Sequence, residues 1–259
     1  EIGSKKIFFS DKKIILRAIK KKNLALSNNL KVNIIEELSG KKKKFFKTSL
    51  KQGKINSKEI KKDDIFFAIK GKKNDGNKFV GEALNKKASI AIVNKINKNY
   101  NNKKQIKVRD TLKFLTQCSK IYRQNINTKI IAITGSCGKT TLKELLGSSL
   151  KKIYKVSTSP KSYNNKYGVP LSLFNINQKD QYGVLEIGMD KKGEIDFLSK
   201  IVQPDVSVIT NINYAHAKNF RNIKQIALAK SEIINNTNNN GSIVLNADDR
   251  FFNFHRKIA

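Results

Sequence analysis

Apolar and polar positions alternate in a regular rhythm along the second half of the chain, and that rhythm predicts strands followed by helices. The β-branched run Ile130-Ile131-Ala132-Ile133-Thr134 reads as a buried strand. From Lys139 onward, Leu142, Leu145, Leu146 and Leu150 recur at three- and four-residue spacing, which predicts a helix burying one face on a sheet. Further strands are predicted at 154–157, 182–187, 206–210 and 242–245, with helices near 168–174, 194–201 and 223–236 between them. Strands alternating with helices make a mostly parallel sheet, whose ligand lies at the carboxyl ends of its strands. Glu186, Asn211 and Asn246 stand at those ends.

The first half is less regular. Ile14, Ile15, Ala18 and Ile19 fit one face of a helix, and Lys41 to Lys44 form a like-charge block expected in a solvated loop. Residues 65–69 read as a strand feeding the polar loop 70–77, which holds Gly71 and Gly76 and has the character of a ligand loop. Phe79, Ala83 and Leu84 then suit a helix, residues 88–93 a strand, and residues 111–121 a helix with Leu112, Leu115 and Ile121 on or near one face. The expected fold is α/β: a small N-terminal α/β domain over residues 1–128 and a second domain over 129–259, built on a mostly parallel sheet flanked by helices.

A length of 259 residues and a hydrophobic content of 39% allow two packed cores. No stretch approaches the roughly 20 apolar residues of a membrane span, so the chain reads as cytoplasmic, with no membrane partner. Cys118 and Cys137 alone make no disulfide framework and no zinc site. The net charge of +33 raises nucleic acid as a partner, but the lysines are scattered among Asn and Ile without arginine clusters or interleaved aromatics. No nucleic-acid partner is expected.

Between the strand at 130–134 and the helix from Lys139 stands Gly135-Ser136-Cys137-Gly138-Lys139-Thr140-Thr141. Two glycines let the backbone turn several N–H groups toward one point, and the helix adds its positive dipole end there. Lys139 can then reach the outer phosphates of a nucleotide, and the Thr140 hydroxyl is where such loops hold Mg²⁺. The longer pattern G-x-x-x-x-G-K-[ST] would place glycine at 133, where this chain has Ile133. The loop is a shorter form of a P-loop, and an ATP or GTP site is the expected reading.

Several further pieces follow in order: Lys143-Glu144; Asn164-Asn165 before Gly168-Val169-Pro170; Glu186-Ile187-Gly188-Met189 before Gly193-Glu194-Ile195; Asn211-Ile212 before Ala215-His216; Ala229-Lys230-Ser231-Glu232-Ile233; and Asn246-Ala247-Asp248-Asp249. Together with the phosphate loop they resemble the ATP-dependent Mur ligases. Within that family the wording matches best the members that add D-alanyl-D-alanine to UDP-N-acetylmuramoyl-tripeptide. Upstream, 64–71 and Asp75-Gly76 resemble the family's uridine-nucleotide-binding domain. Two departures stand out. The family's acid-Ser-Arg triplet reads Asn56-Ser57-Lys58 here, and Lys218 replaces the acidic residue two places after the histidine.

The resemblance implies a cell-wall precursor ligase in which ATP activates a substrate carboxylate as an acyl phosphate, which the amine of D-Ala-D-Ala then attacks. It implies that Lys139 neutralises the transferring phosphate, that Thr140 and Glu186 hold one Mg²⁺, and that His216 and a carbamylated Lys230 support a second. It places Gly135 to Thr141 and Asn246 on the nucleotide, and Ser57, Lys70, Gly71, Asp75, Asn164 and Asn165 on the uridine-linked peptide. It also implies a third domain beyond Asp249; the chain begins at Glu1 without methionine, and the expectation is a monomeric enzyme of which this is an N-terminal fragment. A Mur-type ligase adding the diamino acid, or folylpolyglutamate synthase, is the alternative within the superfamily, though their loops usually carry Thr-Asn where this chain has Ser136-Cys137. A basic phosphate- or nucleic-acid-binding module without catalysis is the alternative from another class.

Overall fold

Two parallel sheets carry the chain. The computed structural model describes residues 30–41, 50–71, 74–160, 163–214 and 219–259. The first helix, α1 (Leu30–Ser39), precedes a four-stranded sheet of β1 (Gly53–Lys54), β2 (Ile65–Phe67), β3 (Ile90–Val93) and β4 (Gln105–Lys107), with α2 (Val80–Asn85) between β2 and β3. The strands lie in chain order and every pairing is parallel. Two of the crossovers contain only single 3₁₀ turns, Ser57–Glu59 and Asn102–Lys104. Helix α3 (Thr111–Gln124) follows, its N-terminus capped by Asp110, whose carboxylate accepts from the amides of Leu112 and Lys113.

The second sheet holds β5 (Lys129–Thr134), β6 (Val156–Thr158), β7 (Tyr182–Glu186), β8 (Val206–Ile209) and β9 (Ser242–Leu245), in the order β6-β7-β5-β8-β9 and parallel throughout. Helices α4 (Lys139–Lys151), α5 (Gly168–Phe174), α6 (Glu194–Val202), α7 (Ile223–Ser231) and α8 (Phe252–Ile258) complete it. Because β5 is central, the connection after it runs to one side of the sheet and the later one to β8 runs to the other. The carboxyl end of β5, flanked by those of β7 and β8, is therefore the crevice where a doubly wound sheet takes its ligand.

One apolar core runs through both halves, from Leu30 and Ile35 of α1, through Leu115 and Tyr122 of α3, to Ile130, Leu185 and Ile209 of the second sheet. Polar ties cross the same seam. Asn175 accepts from the Gly53 amide (2.7 Å) and donates to the Gly53 carbonyl (2.9 Å), and the Tyr122 hydroxyl donates to Ile176 O.

Several expectations need correction. Leu145 does not face the sheet, being 62% exposed, whereas Leu142, Leu146 and Leu150 pack, half buried, against Ile133, Val184 and Val208 of the strands, beside the buried Lys143 and Gly147. In α3 the buried face is Phe114, Leu115, Cys118 and Tyr122, while Leu112 and Ile121 lie at its margins. The single helix expected at 223–236 ends at Ser231 and gives way to a 3₁₀ turn, Ile234–Asn236. Ile14, Ile15, Ala18 and Ile19, and most of the lysine block at 41–44, lie outside the described residues. Among the described residues no helix is long and apolar enough to cross a membrane, and both cysteines are free, Cys118 buried and Cys137 exposed.

Candidate functional site

The loop after β5 turns on two glycines with positive φ, Gly135 at 145° and Gly138 at 79°. At Gly135 the space is as restrictive as the torsion, since a Cβ there would lie 1.9 Å from Thr210 Oγ1. The turn is tied to the end of β8 by a mesh of short bonds. Ser136 N donates to Asn211 O (2.9 Å), Cys137 N donates to Asn211 Oδ1 (3.0 Å), and the Thr210 hydroxyl donates to Cys137 O (2.6 Å). Ser136 Oγ both donates to Asn213 O and accepts from Asn213 N. Helix α4 then starts at Gly138 with no side-chain cap, so its first-turn N–H groups are left for an anion.

Lysines converge on this loop from two elements. Lys139 Nζ donates to Gly135 O (2.9 Å) and Ser136 O (3.2 Å), and Lys230 Nζ, from α7, donates to the same Gly135 carbonyl (2.8 Å). Lys230 is 2% exposed. Burial, reinforced by the nearby Lys139 charge and partly offset by Cys137, lowers its pKa to about 7.

On the other flank, at the end of β7, Glu186 is 3% exposed. Its Oε2 accepts from the Thr140 hydroxyl (2.8 Å) and its Oε1 from Asn164 Nδ2 (2.8 Å). Gly188 makes the close approach of this segment possible, because its amide donates to Asn164 O at 2.7 Å and a Cβ would crowd the Asn164 side chain. A cleft of about 1090 Å³ opens in front; Lys139, Lys230, Asn164, Asn165 and Gly71 are among its lining residues. The two halves of the chain thus share one cleft.

The remaining sequence-predicted residues are placed as follows. Thr141 lies on the first turn of α4. Asn165 turns its carbonyl oxygen to the amides of Tyr167 and Gly168 at the entry to α5. Ser57 donates to Glu82 Oε2 (2.7 Å) and does not line the cleft. Lys70 and Asp75 form a β-bridge across the Gly71 turn, and Asp75 accepts from Asn77, a bond that lowers its pKa. Asn246 is exposed at the end of β9, accepting from the Asp248 amide. His216 and Lys218 lie outside the described residues.

Lys143 and Asp249 stand in the motifs quoted above but were given no role there: Lys143 is fully buried behind Glu186, and Asp249 accepts from the amides of Ile212 and Phe251 and so joins the loops after β8 and β9. Lys143 follows the phosphate loop by one helical turn, and its burial against Glu186 could not be read from the motif.

Two family models match: the Mur ligase middle domain over residues 133–259, and the Mur ligase family, catalytic domain, over residues 51–123. The chain is 36% identical over 203 residues to UDP-N-acetylmuramoyl-tripeptide–D-alanyl-D-alanine ligase of Buchnera aphidicola subsp. Acyrthosiphon pisum, an alignment covering 78% of this chain and 44% of that protein. A crystal structure of MurF from Acinetobacter baumannii superposes with a TM-score of 0.77 at 34% identity, covering 88% of this chain and 50% of that one. MurF ligase from Thermotoga maritima in complex with ADP superposes with a TM-score of 0.68 at 33% identity, covering 80% of this chain and 48% of that one. The chain therefore spans about half the length of the relatives it matches.

Proposed function

Because this chain belongs to the Mur ligase family, we propose that it forms the nucleotide-holding and uridine-substrate-holding part of an ATP-dependent ligase that joins D-alanyl-D-alanine to UDP-N-acetylmuramoyl-tripeptide. The observation that carries the reading is the cleft lined by Lys139, Lys230 and Asn164, where the two lysines meet at one loop carbonyl and Asn164 begins a hydrogen-bonded row that runs through Glu186 to Thr140. The share of relatives bearing that activity in their names supports the substrate pair. The proposed division of labour gives residues 1–128 to the uridine-linked substrate and 129–259 to ATP, in a monomeric cytoplasmic enzyme.

The donor set fits the groups the reaction needs. The uncapped first turn of α4 and the amides around Gly138 suit a phosphate. The Thr140 hydroxyl and the Glu186 carboxylate, 2.8 Å apart, are hard oxygen donors of the kind a small divalent cation prefers. Mg²⁺ bound there would neutralise charge on the transferring phosphate, which is most of what phosphoryl transfer asks of a site. Lys139 holds loop carbonyls in this state and is long enough to swing its ammonium to the outer phosphate. Asn164 holds the far oxygen of Glu186, leaving Oε2 toward Thr140.

Lys230 is proposed as a carbamate. Two ammonium groups on one carbonyl repel each other; the CO₂ adduct turns one of them into an anionic oxygen donor beside Lys139. In the complete enzyme, Lys230→Ala is expected to lose most of its activity and to regain part of it with added short carboxylates. Full activity without rescue would refute the metal-supporting role. Lys139→Ala is expected to abolish nucleotide binding while the far-ultraviolet circular dichroism stays that of the parent; unchanged ATP affinity would remove the phosphate-loop assignment.

A further inference from the structure

Lys143 is the one large charged side chain of α4 turned wholly into the protein among the described residues. It is 0% exposed, and its ammonium has no hydrogen-bond partner there. What it has are charges: Glu144 Oε1 at 3.3 Å, on a side chain that is itself half in solvent, and Glu186 Oε2 at 4.0 Å, on a side chain as buried as its own. An ammonium taken from water without hydrogen bonds is expensive, and a buried ion pair seldom returns more than it costs. A methionine of similar length would fill the same space between α4 and the sheet at no such cost. Local packing therefore does not account for a lysine at this position.

Its neighbours do. Glu186 Oε2, the oxygen nearest Lys143, is the one that accepts from Thr140, while Oε1 is taken by Asn164. Lys143 does not line the cleft; it stands behind Glu186, one helical turn beyond Thr140. The geometry points to Lys143 as a positioning residue that fixes the Glu186 carboxylate against Thr140, so that the two oxygens present a ready-made seat for the divalent cation of the nucleotide. This rests on the reading of Thr140 and Glu186 as the cation's ligands. Lys143 acts through Glu186 and touches neither nucleotide nor metal.

The test is calorimetric titration of ADP into the complete protein, with MgCl₂ and with chelator, for the parent and for Lys143→Met. The expected result has three parts. The variant's thermal midpoint stays at or above the parent's, because a costly buried charge is gone. Its affinity for ADP in chelator is unchanged. The Mg²⁺ concentration needed to strengthen ADP binding rises by about 10–100-fold, the usual cost of losing a group that orients a metal ligand. Combining it with Glu186→Gln must abolish any further effect of Lys143→Met on the Mg²⁺ requirement; an additive loss would show that Lys143 does not work through Glu186 and would overturn the inference. An unchanged Mg²⁺ requirement in Lys143→Met overturns it too. Should Lys143→Met fail to fold, Lys143→Gln, which keeps the polar length without the charge, is read the same way. If the parent's own ADP binding is indifferent to Mg²⁺, the cation site at Thr140 and Glu186 is wrong, a separate failure recognised before any variant is made.

Discussion

Gly135 shows how narrowly a single position can be determined. Its φ of 145° lies where side-chain-bearing residues rarely go, and a Cβ would collide with Thr210 Oγ1, the hydroxyl that anchors Cys137 O. Gly135→Ala is expected to push the loop off β8 and to cost at least tenfold in nucleotide affinity, roughly 1.4 kcal/mol, while Gly147→Ala, crowded only by the Thr158 methyl, is expected to leave nucleotide affinity unchanged. Equal affinity for Gly135→Ala and the parent in a fluorescent-nucleotide titration would contradict the geometry. His255 carries a different consequence. It is buried on α8 and donates through Nε2 to Ala227 O (3.1 Å). Burial lowers its pKa, opposed by that bond and by Asp249. The unfolded chain therefore takes up a proton that the folded chain resists, so the residue's contribution is intact above the ordinary histidine value of about 6.5 and is lost as the pH falls below it. Melting curves should show a steeper loss of stability between about pH 7.5 and 5.5 in the parent than in His255→Gln; identical slopes would show that His255 does not titrate on unfolding.

Helix α4 follows its apolar pattern at three positions of four. Its leucine spacing suggests a sheet-facing stripe, and Leu142, Leu146 and Leu150 do pack against the strands around Ile133, Val184 and Val208. Lys143 and Gly147 are the fully buried positions on the same side, and Leu145 alone of the four leucines is left outside. Leu145→Glu is thus expected to change stability by less than about 0.5 kcal/mol, whereas Leu146→Glu, in contact with the core around Ile133 and Val184, should cost more than about 1 kcal/mol. Denaturant midpoints of the two variants settle the order. Where residues alternate over longer runs the elements were legible: β9 and α5 fall where the apolar pattern puts them, and β5, β7 and α6 within a residue or so. Strands β1 and β4 were not singled out because they are two and three residues long and border 3₁₀ turns, β1 before one and β4 after another. Helix α1 was missed between the lysine runs at 20–22 and 41–44, although Leu30, Ile34 and Ile35 anchor it in the core. The loop, Glu186 and Lys230 could be named from motifs. That Lys230 and Lys139 share one carbonyl, and that Lys143 backs Glu186, depend on which way side chains turn from their helices.

At the scale of the molecule, α3 and α5 join the two sheets into one core, and the cleft takes wall from both halves, Gly71 from the first and Lys139 from the second. The open side is the edge of the second sheet, where Val244 of β9 is 49% exposed. Relatives of this chain carry about as much sequence again, and acyl transfer needs its amine held in line and water kept out. On the proposed function, these 259 residues tested by themselves are expected to bind ADP. The most direct test of the central claim is a ligation assay on the complete protein with ATP, Mg²⁺, UDP-N-acetylmuramoyl-tripeptide and D-Ala-D-Ala, following both ADP release and the mass of the nucleotide product. The expected result is one ADP released for each product heavier by the dipeptide less one water, with no product and no ADP release beyond a single turnover when the tripeptide or the dipeptide is omitted. ATP hydrolysis without that product, or the product without ATP, would contradict it.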